Sequence, residues 1–103
     1  MASQGLVFGL SPTIIADLQA GFAQYPEINQ VLIFGSRAKN TWKEGSDIDI
    51  ALLAPSLSKQ RFAELWNKID DLPIVFKIDC LLWDSLTNQQ LKNKILQEGY
   101  ALF

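Results

Sequence analysis

Three short apolar runs alternate along this 103-residue chain with segments whose apolar side chains recur at helical spacing. The runs are rich in β-branched and aromatic residues, which is typical of buried strands. They cover residues 31–34, 47–53 and 74–83. Helices are expected at residues 12–24, at residues 58–72 and from about residue 87 to residue 99. With a further short strand over residues 100–103, this order predicts an α/β (α+β) fold, in which helices pack against a sheet.

Local signals place the starts of the helices. Ser11 followed by Pro12 is an N-cap followed by a proline at the first helical position. Ser58 is placed to cap the second helix. Thr87, with Gln90 three residues later, resembles a capping box that would open the third helix.

Length and charge limit the function classes. A chain of 103 residues has the size of one compact domain, so residues 1–103 are expected to form a single domain. The net charge of −2 lacks the broad positive field of non-specific nucleic-acid binding, so no DNA or RNA is expected as a direct partner. The absence of histidine removes the usual general base at neutral pH and the commonest zinc ligand. Carboxylate side chains are therefore the candidate catalytic groups and metal ligands.

The single cysteine and the amino terminus indicate where such a chain works. Cys80 lies inside an apolar run and cannot form an internal disulfide, which fits the reducing cytoplasm and a packing role. The first ten residues lack a charged start and are too short to span a bilayer, so neither a secretory signal nor a membrane helix is expected. Surplus apolar surface on so small a domain could be covered by a partner, so a homo- or hetero-oligomer is compatible with the composition.

Two carboxylates lie on one face of the second predicted strand. Asp47 and Asp49 alternate with Ile48 and Ile50, which can pack in the core on the other face. Neighbouring like charges repel, and a cation between them would remove that penalty. Oxygen ligands favour Mg²⁺, which usually takes one or two protein carboxylates and completes its shell with water and phosphate oxygens. Alone, an acidic pair of this kind is more often an exposed polar face.

Asp79 is an isolated acid within the third apolar run. Burying an unpaired carboxylate is costly, so this side chain needs a cation, a hydrogen-bond network or a solvent-filled cleft. Placed beside Asp47 and Asp49, it would complete a metal site of three carboxylates. A solvated strand end or an ion pair with Lys77 is an equally good explanation of Asp79 taken by itself.

Gly35 and Ser36 follow the first predicted strand directly. Backbone N–H groups, a hydroxyl and the missing side chain at Gly35 suit a phosphate, although a tight turn alone also explains a glycine. Neither a Walker A loop nor a dinucleotide fingerprint is present, so another phosphate-binding fold is expected.

Together these features resemble a known family. Phe34-Gly35-Ser36, ten intervening residues, Asp47-Ile48-Asp49 and then Asp79 between apolar residues are similar to the nucleotidyltransferase superfamily that includes DNA polymerase beta. The closest likeness is to its minimal branch, which the segments GSRAKNTWKEGSDIDIAL and DDLPIVFKIDCLLWD also resemble. The resemblance implies the nucleotidyltransferase fold, a small mixed sheet with helices packed on it.

The resemblance also implies a role for each motif residue. Gly35 and Ser36 would hold the triphosphate, and Asp47 and Asp49 would bind Mg²⁺. Asp79 would be the third carboxylate of the metal site and would align or deprotonate the acceptor hydroxyl.

The segment between the two motifs holds further candidates. Arg37 and Lys39, with Lys43 as a further candidate, could face the triphosphate or the acceptor. Asn40 stands where the family often has glycine, and asparagine tolerates a left-handed backbone. Trp42 is a candidate for stacking on the base, although a partner interface explains an exposed tryptophan equally well.

Small members of this branch are commonly the antitoxins of two-protein toxin–antitoxin modules. The resemblance therefore implies a Mg²⁺-dependent antitoxin that transfers AMP from ATP to a tyrosine of an all-helical HEPN ribonuclease toxin. One alternative is an antitoxin that only occludes the toxin. Another is a transferase for a small molecule, although such relatives generally carry an extra substrate domain, for which 103 residues leave no room unless a dimer supplies it.

Overall fold

The computed structural model describes residues 9–35, 38 and 47–102, which form three α-helices and four β-strands. The elements in chain order are α1 (Pro12–Ala23), β1 (Gln30–Phe34), β2 (Ile48–Leu53), α2 (Lys59–Asp70), β3 (Ile78–Leu82), α3 (Gln89–Glu98) and β4 (Tyr100–Ala101). A short 3₁₀ turn, Trp83–Ser85, connects β3 to α3. The described helices include none long and apolar enough to cross a membrane.

The strands form one mixed sheet with the order β3-β2-β1-β4. Strand β1 pairs antiparallel with β2 and with β4, whereas β2 and β3 are parallel. This arrangement confirms the predicted fold class. Residues directly opposite each other on neighbouring strands point to the same side of a sheet, so the pairing register divides the strand residues between two faces.

One face of the sheet, the α1–α2 face, holds the larger core. Ile33, Ile50 and Cys80 are opposite one another on this face. Helices α1 and α2 cover it with apolar side chains that include Leu18, Phe22, Leu65 and Ile69. Each such side chain, when fully buried, stabilises the fold by about 1.5–3 kcal/mol relative to an exposed one. Cys80 packs against this core, which confirms its predicted packing role, and burial raises the pKa of its thiol to about 12.

Helix α3 covers the other face, the α3 face. Its Ile95 packs against Leu32 and Ala51 of the two central strands. Phe34, Leu81 and Leu91 extend this smaller cluster. The side chains of Asp49 and Asp79 belong to the same face, because Asp49 is opposite both Phe34 and Asp79. The face is therefore apolar where α3 lies and acidic at the end where β1 stops.

Two of the three predicted helix starts are confirmed. The Ser11 and Ser58 hydroxyls accept hydrogen bonds from the third residue of their helices, at 3.4 and 3.1 Å. The capping box at Thr87 is wrong, because Asn88 is the N-cap and its Oδ1 accepts from the Leu91 N–H at 3.1 Å. Asparagine is at least as good an N-cap as threonine, so the helix starts one residue later than predicted.

The third strand is shorter than predicted at both ends. Residues 74–77 lie outside β3, since the chain turns after Pro73, where the Ile74 N–H donates to the Leu72 carbonyl at 2.7 Å, and the Lys77 carbonyl then accepts from the Ile48 N–H of β2 at 2.8 Å. Pairing with β2 begins only where β2 itself begins, with Ile48 opposite Ile78. Trp83 belongs to the 3₁₀ turn. The continuous apolar run thus predicted too long a strand, because the side-chain pattern alone does not show where the partner strand ends.

Asp84 ties the 3₁₀ turn to the end of β2, and its replacement gives a stability prediction. Its Oδ2 accepts a hydrogen bond of 2.8 Å from the N–H of Ala54, a residue that is 2% exposed. Asp84→Ala is expected to lower the free energy of unfolding by about 1–3 kcal/mol, because it leaves a buried backbone donor unsatisfied. Asp84→Asn keeps an acceptor oxygen and should lose less. Urea unfolding of both variants measures the difference, and equal losses would contradict this role.

Candidate active site

Two of the three predicted carboxylates lie side by side on the α3 face. Asp49 of β2 is opposite Asp79 of β3 in the parallel register. Neighbouring strands are about 4.8 Å apart, so these two side chains leave the sheet next to each other. Asp47 lies one residue before β2 and is exposed. The structure thus brings the acids of two separate segments to one end of the sheet.

The electrostatics of Asp49 show how close these acids are. Burial, followed by repulsion from Asp79 and Asp47, raises the pKa of Asp49, while the nearby Lys77 acts in the opposite direction. Asp49 is partly buried, whereas Asp79 is exposed. A raised carboxylate pKa means that the ionised form is disfavoured in the folded chain. A cation at this position would stabilise that form.

Gly35 closes the turn after β1 directly over Asp49. Its φ of +78° lies in the left-handed region that favours glycine. A Cβ atom at this position would lie 2.5 Å from Oδ2 of Asp49, closer than non-bonded atoms approach. Gly35 is therefore needed both for the backbone conformation and for the approach of the Asp49 carboxylate. The sequence indicated the first reason, and only the three-dimensional structure shows the second.

The chemistry of these donors fits Mg²⁺. Among the described residues, no three acidic, cysteine or histidine side chains are arranged as a ready-made metal site. Mg²⁺ does not require one, because it is usually bound by one or two carboxylates together with water and substrate phosphates. The donors here are carboxylate oxygens, and the repulsion on Asp49 is what a divalent cation would relieve. The metal site of Asp47, Asp49 and Asp79 stays a prediction.

Several residues singled out in the sequence lie outside the described residues. They are Ser36, Arg37, Lys39, Asn40, Trp42 and Lys43. Their proposed contacts with the triphosphate, the acceptor or the base therefore stay predictions.

A cavity of about 140 Å³, here named the α3 pocket, adjoins the Gly35 turn. Its lining residues are Phe34, Gly35, Leu91, Lys94, Ile95 and Glu98. No local signal connects α3 with the motifs, because Lys94 looks like any solvated helix residue. A second cavity, of about 350 Å³, lies between the end of α1 and the start of β1, at the opposite end of β1 from Gly35.

The site thus consists of a mixed sheet between helices, with a glycine turn closed over one of two facing aspartates. Residues 16–103 match the family model described as "Polymerase beta, Nucleotidyltransferase". The chain belongs to that family, which confirms both the resemblance and the predicted enzyme class.

Individual relatives agree with this assignment. The chain is 33% identical over 73 residues to a protein of Methanocaldococcus jannaschii named "Putative protein adenylyltransferase MJ0126", a match that covers 70% of this chain and 74% of that protein. A crystal structure of a toxin-antitoxin with AMP-PNP contains a chain of similar fold, with a TM-score of 0.71 and 24% identity over 86% of this chain and 72% of that one. A mutant of the toxin-antitoxin MntA-HpeT matches with a TM-score of 0.66 and 23% identity, over 91% and 73% of the two chains.

Proposed function

We propose that this nucleotidyltransferase uses Mg²⁺ to transfer AMP from ATP to a tyrosine hydroxyl of a HEPN-domain toxin, and that it acts as the antitoxin of that toxin. The observation that carries the proposal is the register that places Asp49 opposite Asp79 beneath the Gly35 turn. It joins a carboxylate pair suited to a metal with a turn suited to phosphates.

The relatives support the nucleotide and the acceptor. The similar chain from M. jannaschii is named as a protein adenylyltransferase, which favours AMP as the transferred group and a protein as the acceptor. One of the similar structures was solved with AMP-PNP, an analogue of ATP, and both contain a toxin and an antitoxin. A toxin partner is therefore the first acceptor to test.

The reaction assigns a task to each side chain. The acceptor oxygen attacks the α-phosphorus of ATP and forms a new phosphorus–oxygen bond, while the bond from that phosphorus to the bridging oxygen breaks and pyrophosphate leaves. Asp79, exposed at the edge of the sheet, aligns the acceptor hydroxyl and takes its proton. Asp47 and Asp49 would hold Mg²⁺. When bound, this ion stabilises the charge that develops on the phosphoryl oxygens.

Transfer of label tests the proposal. The purified chain, a HEPN toxin from the same genome and ATP labelled at the α-phosphate are expected to give labelled toxin in Mg²⁺ and none in EDTA. Asp79→Asn should slow the transfer by about 100-fold or more, because general bases typically contribute about 10²–10⁴-fold. Mass spectrometry of the labelled peptide identifies the acceptor residue.

A matched variant and a toxicity assay separate the alternatives. Asp17→Asn removes a carboxylate from α1, which covers the other face of the sheet, and should leave transfer unchanged. If no nucleoside triphosphate labels the toxin, the proposed activity is wrong. If Asp79→Asn still neutralises the toxin as well as the unmodified chain does, the antitoxin acts by occlusion.

A further inference from the structure

The α3 pocket is continuous with the place proposed for the phosphates. Gly35 lines the pocket and also lies against the Asp49 carboxylate. Phe34, another wall of the pocket, is directly opposite Asp49 in the β1–β2 register, so both side chains point to the α3 face. A molecule whose phosphates lie at the Gly35 turn can therefore extend into the pocket without crossing the sheet.

The apolar walls of the α3 pocket suit a ring better than a phosphate. Phe34, Leu91 and Ile95 are apolar, and Ile95 is 1% exposed. Moving a polyanion against such walls would cost far more than the contacts return. A cavity of about 150 Å³ with apolar walls holds a single benzene-sized ring, and the volume here is about 140 Å³. The pocket therefore fits one edge of a flat heterocycle.

Two charged residues of α3 complete the pocket with opposite hydrogen-bonding properties. Lys94 and Glu98 are one helical turn apart and both line it. An ammonium group only donates hydrogen bonds, and a carboxylate only accepts them. Adenine presents an acceptor ring nitrogen beside a donor amino group, whereas guanine presents two acceptors, N7 and O6, along the corresponding edge. Along that edge, the pair thus matches adenine better than guanine.

We propose that the α3 pocket binds the nucleobase of the nucleoside triphosphate, with Phe34 against the ring, Lys94 donating to a ring nitrogen and Glu98 accepting from the amino group. This inference rests on the proposed function, because it takes the phosphates to lie at the Gly35 turn. It makes α3 the element that selects ATP over GTP.

Binding of two probes tests this assignment independently of catalysis. Calorimetry with ATP and with inorganic tripolyphosphate compares a ligand that has a base with one that has none. Leu91→Trp, which fills the pocket, is expected to weaken ATP binding by about 5- to 150-fold, the range for loss of one stacked base, and to leave tripolyphosphate binding unchanged. Gln97→Ala, on an exposed part of the same helix, should change neither. Thermal unfolding establishes that both variants are folded.

Discrimination between bases is the second readout. Glu98→Gln introduces an amide that can both donate and accept, so the ratio of ATP to GTP affinity should fall about tenfold. Lys94→Met should weaken ATP binding and spare tripolyphosphate. Equal losses for ATP and tripolyphosphate in Leu91→Trp, or an unchanged ATP to GTP ratio in Glu98→Gln, would overturn the assignment. A chain that binds ATP through this pocket but labels no protein would retain the inference and refute the proposed transfer.

Discussion

Asp49→Asn is expected to lose AMP transfer by at least about 100-fold and yet to unfold at the same temperature as the unmodified chain, or a higher one, in buffer without Mg²⁺. A bound metal supplies several kcal/mol of charge stabilisation in reactions of this kind, and each loss of about 1.36 kcal/mol slows the reaction tenfold. An asparagine oxygen is neutral and holds Mg²⁺ poorly. The loss of activity follows from that change alone.

Although Asp49→Asn loses activity, its melting temperature should rise in buffer without Mg²⁺. Burial and repulsion from Asp79 and Asp47 disfavour the charged form of Asp49. Like charges opposite each other on paired strands cost roughly 0.2–1 kcal/mol. Because about 1 kcal/mol shifts the melting temperature of a domain of this size by about 4–8 °C, the gain should reach a few degrees. In excess Mg²⁺ the unmodified chain should instead melt at the higher temperature, since a ligand stabilises only the chain that binds it.

Calorimetric melting in EDTA and in Mg²⁺, together with the labelling assay, measures both effects. Asp17→Asn again controls for the removal of one negative charge. Retention of more than a tenth of the transfer would show that Asp49 does not hold the metal. If Asp49→Asn melts at a lower temperature than the unmodified chain in EDTA, the charged carboxylate stabilises the folded chain, contrary to the electrostatics of the site.

The sequence predicted the features that depend on local rules. The two-residue period of a strand places Asp49 and Ile50 on opposite faces without any tertiary information, as the register shows, whereas Asp47 lies one residue before the strand. The starts at Ser11 and Ser58 could be read because an N-cap is satisfied by a backbone N–H only three residues away. At the start of α3, Thr87 and Asn88 are both suitable N-cap residues, so the same rule could not choose between them. The hydrogen bond of Asn88 shows that it is the N-cap.

Features that depend on the pairing of distant segments could not be predicted in this way. Asp79 is 30 residues from Asp49 in the chain, and only the parallel register shows that they are opposite each other. A shift of one residue would have moved Asp79 to the α1–α2 face, with no change in the sequence pattern. The α3 pocket depends on how a helix rests on the sheet, for which Lys94 and Glu98 carry no local signal.

Gly35→Ala is the second substitution with a large expected effect, because the alanine meets two separate obstacles. A left-handed backbone at a residue other than glycine costs about 1–2 kcal/mol. The new Cβ would also lie 2.5 Å from Oδ2 of Asp49, so the carboxylate or the turn has to move. Overpacking of this kind typically costs about 1–3 kcal/mol. The free energy of unfolding should therefore fall by about 2–5 kcal/mol, and transfer should fall at least about 100-fold, because small displacements of reacting groups have effects of that size.

A double-mutant cycle separates the two obstacles. In Gly35→Ala combined with Asp49→Ala, the carboxylate is gone and only the backbone cost remains, so the two substitutions should cost less together than the sum of their separate effects. Residues in contact typically show such coupling energies of about 0.5–3 kcal/mol. Urea unfolding of the four proteins measures the coupling, and Gly21→Ala combined with Asp49→Ala provides an additive control, because the Cβ at that position would meet the Ile69 side chain on the α1–α2 face. Additivity of Gly35→Ala and Asp49→Ala within about 0.5 kcal/mol would mean that the turn does not rest on the carboxylate, and the link between the proposed phosphate and metal sites would be lost with it.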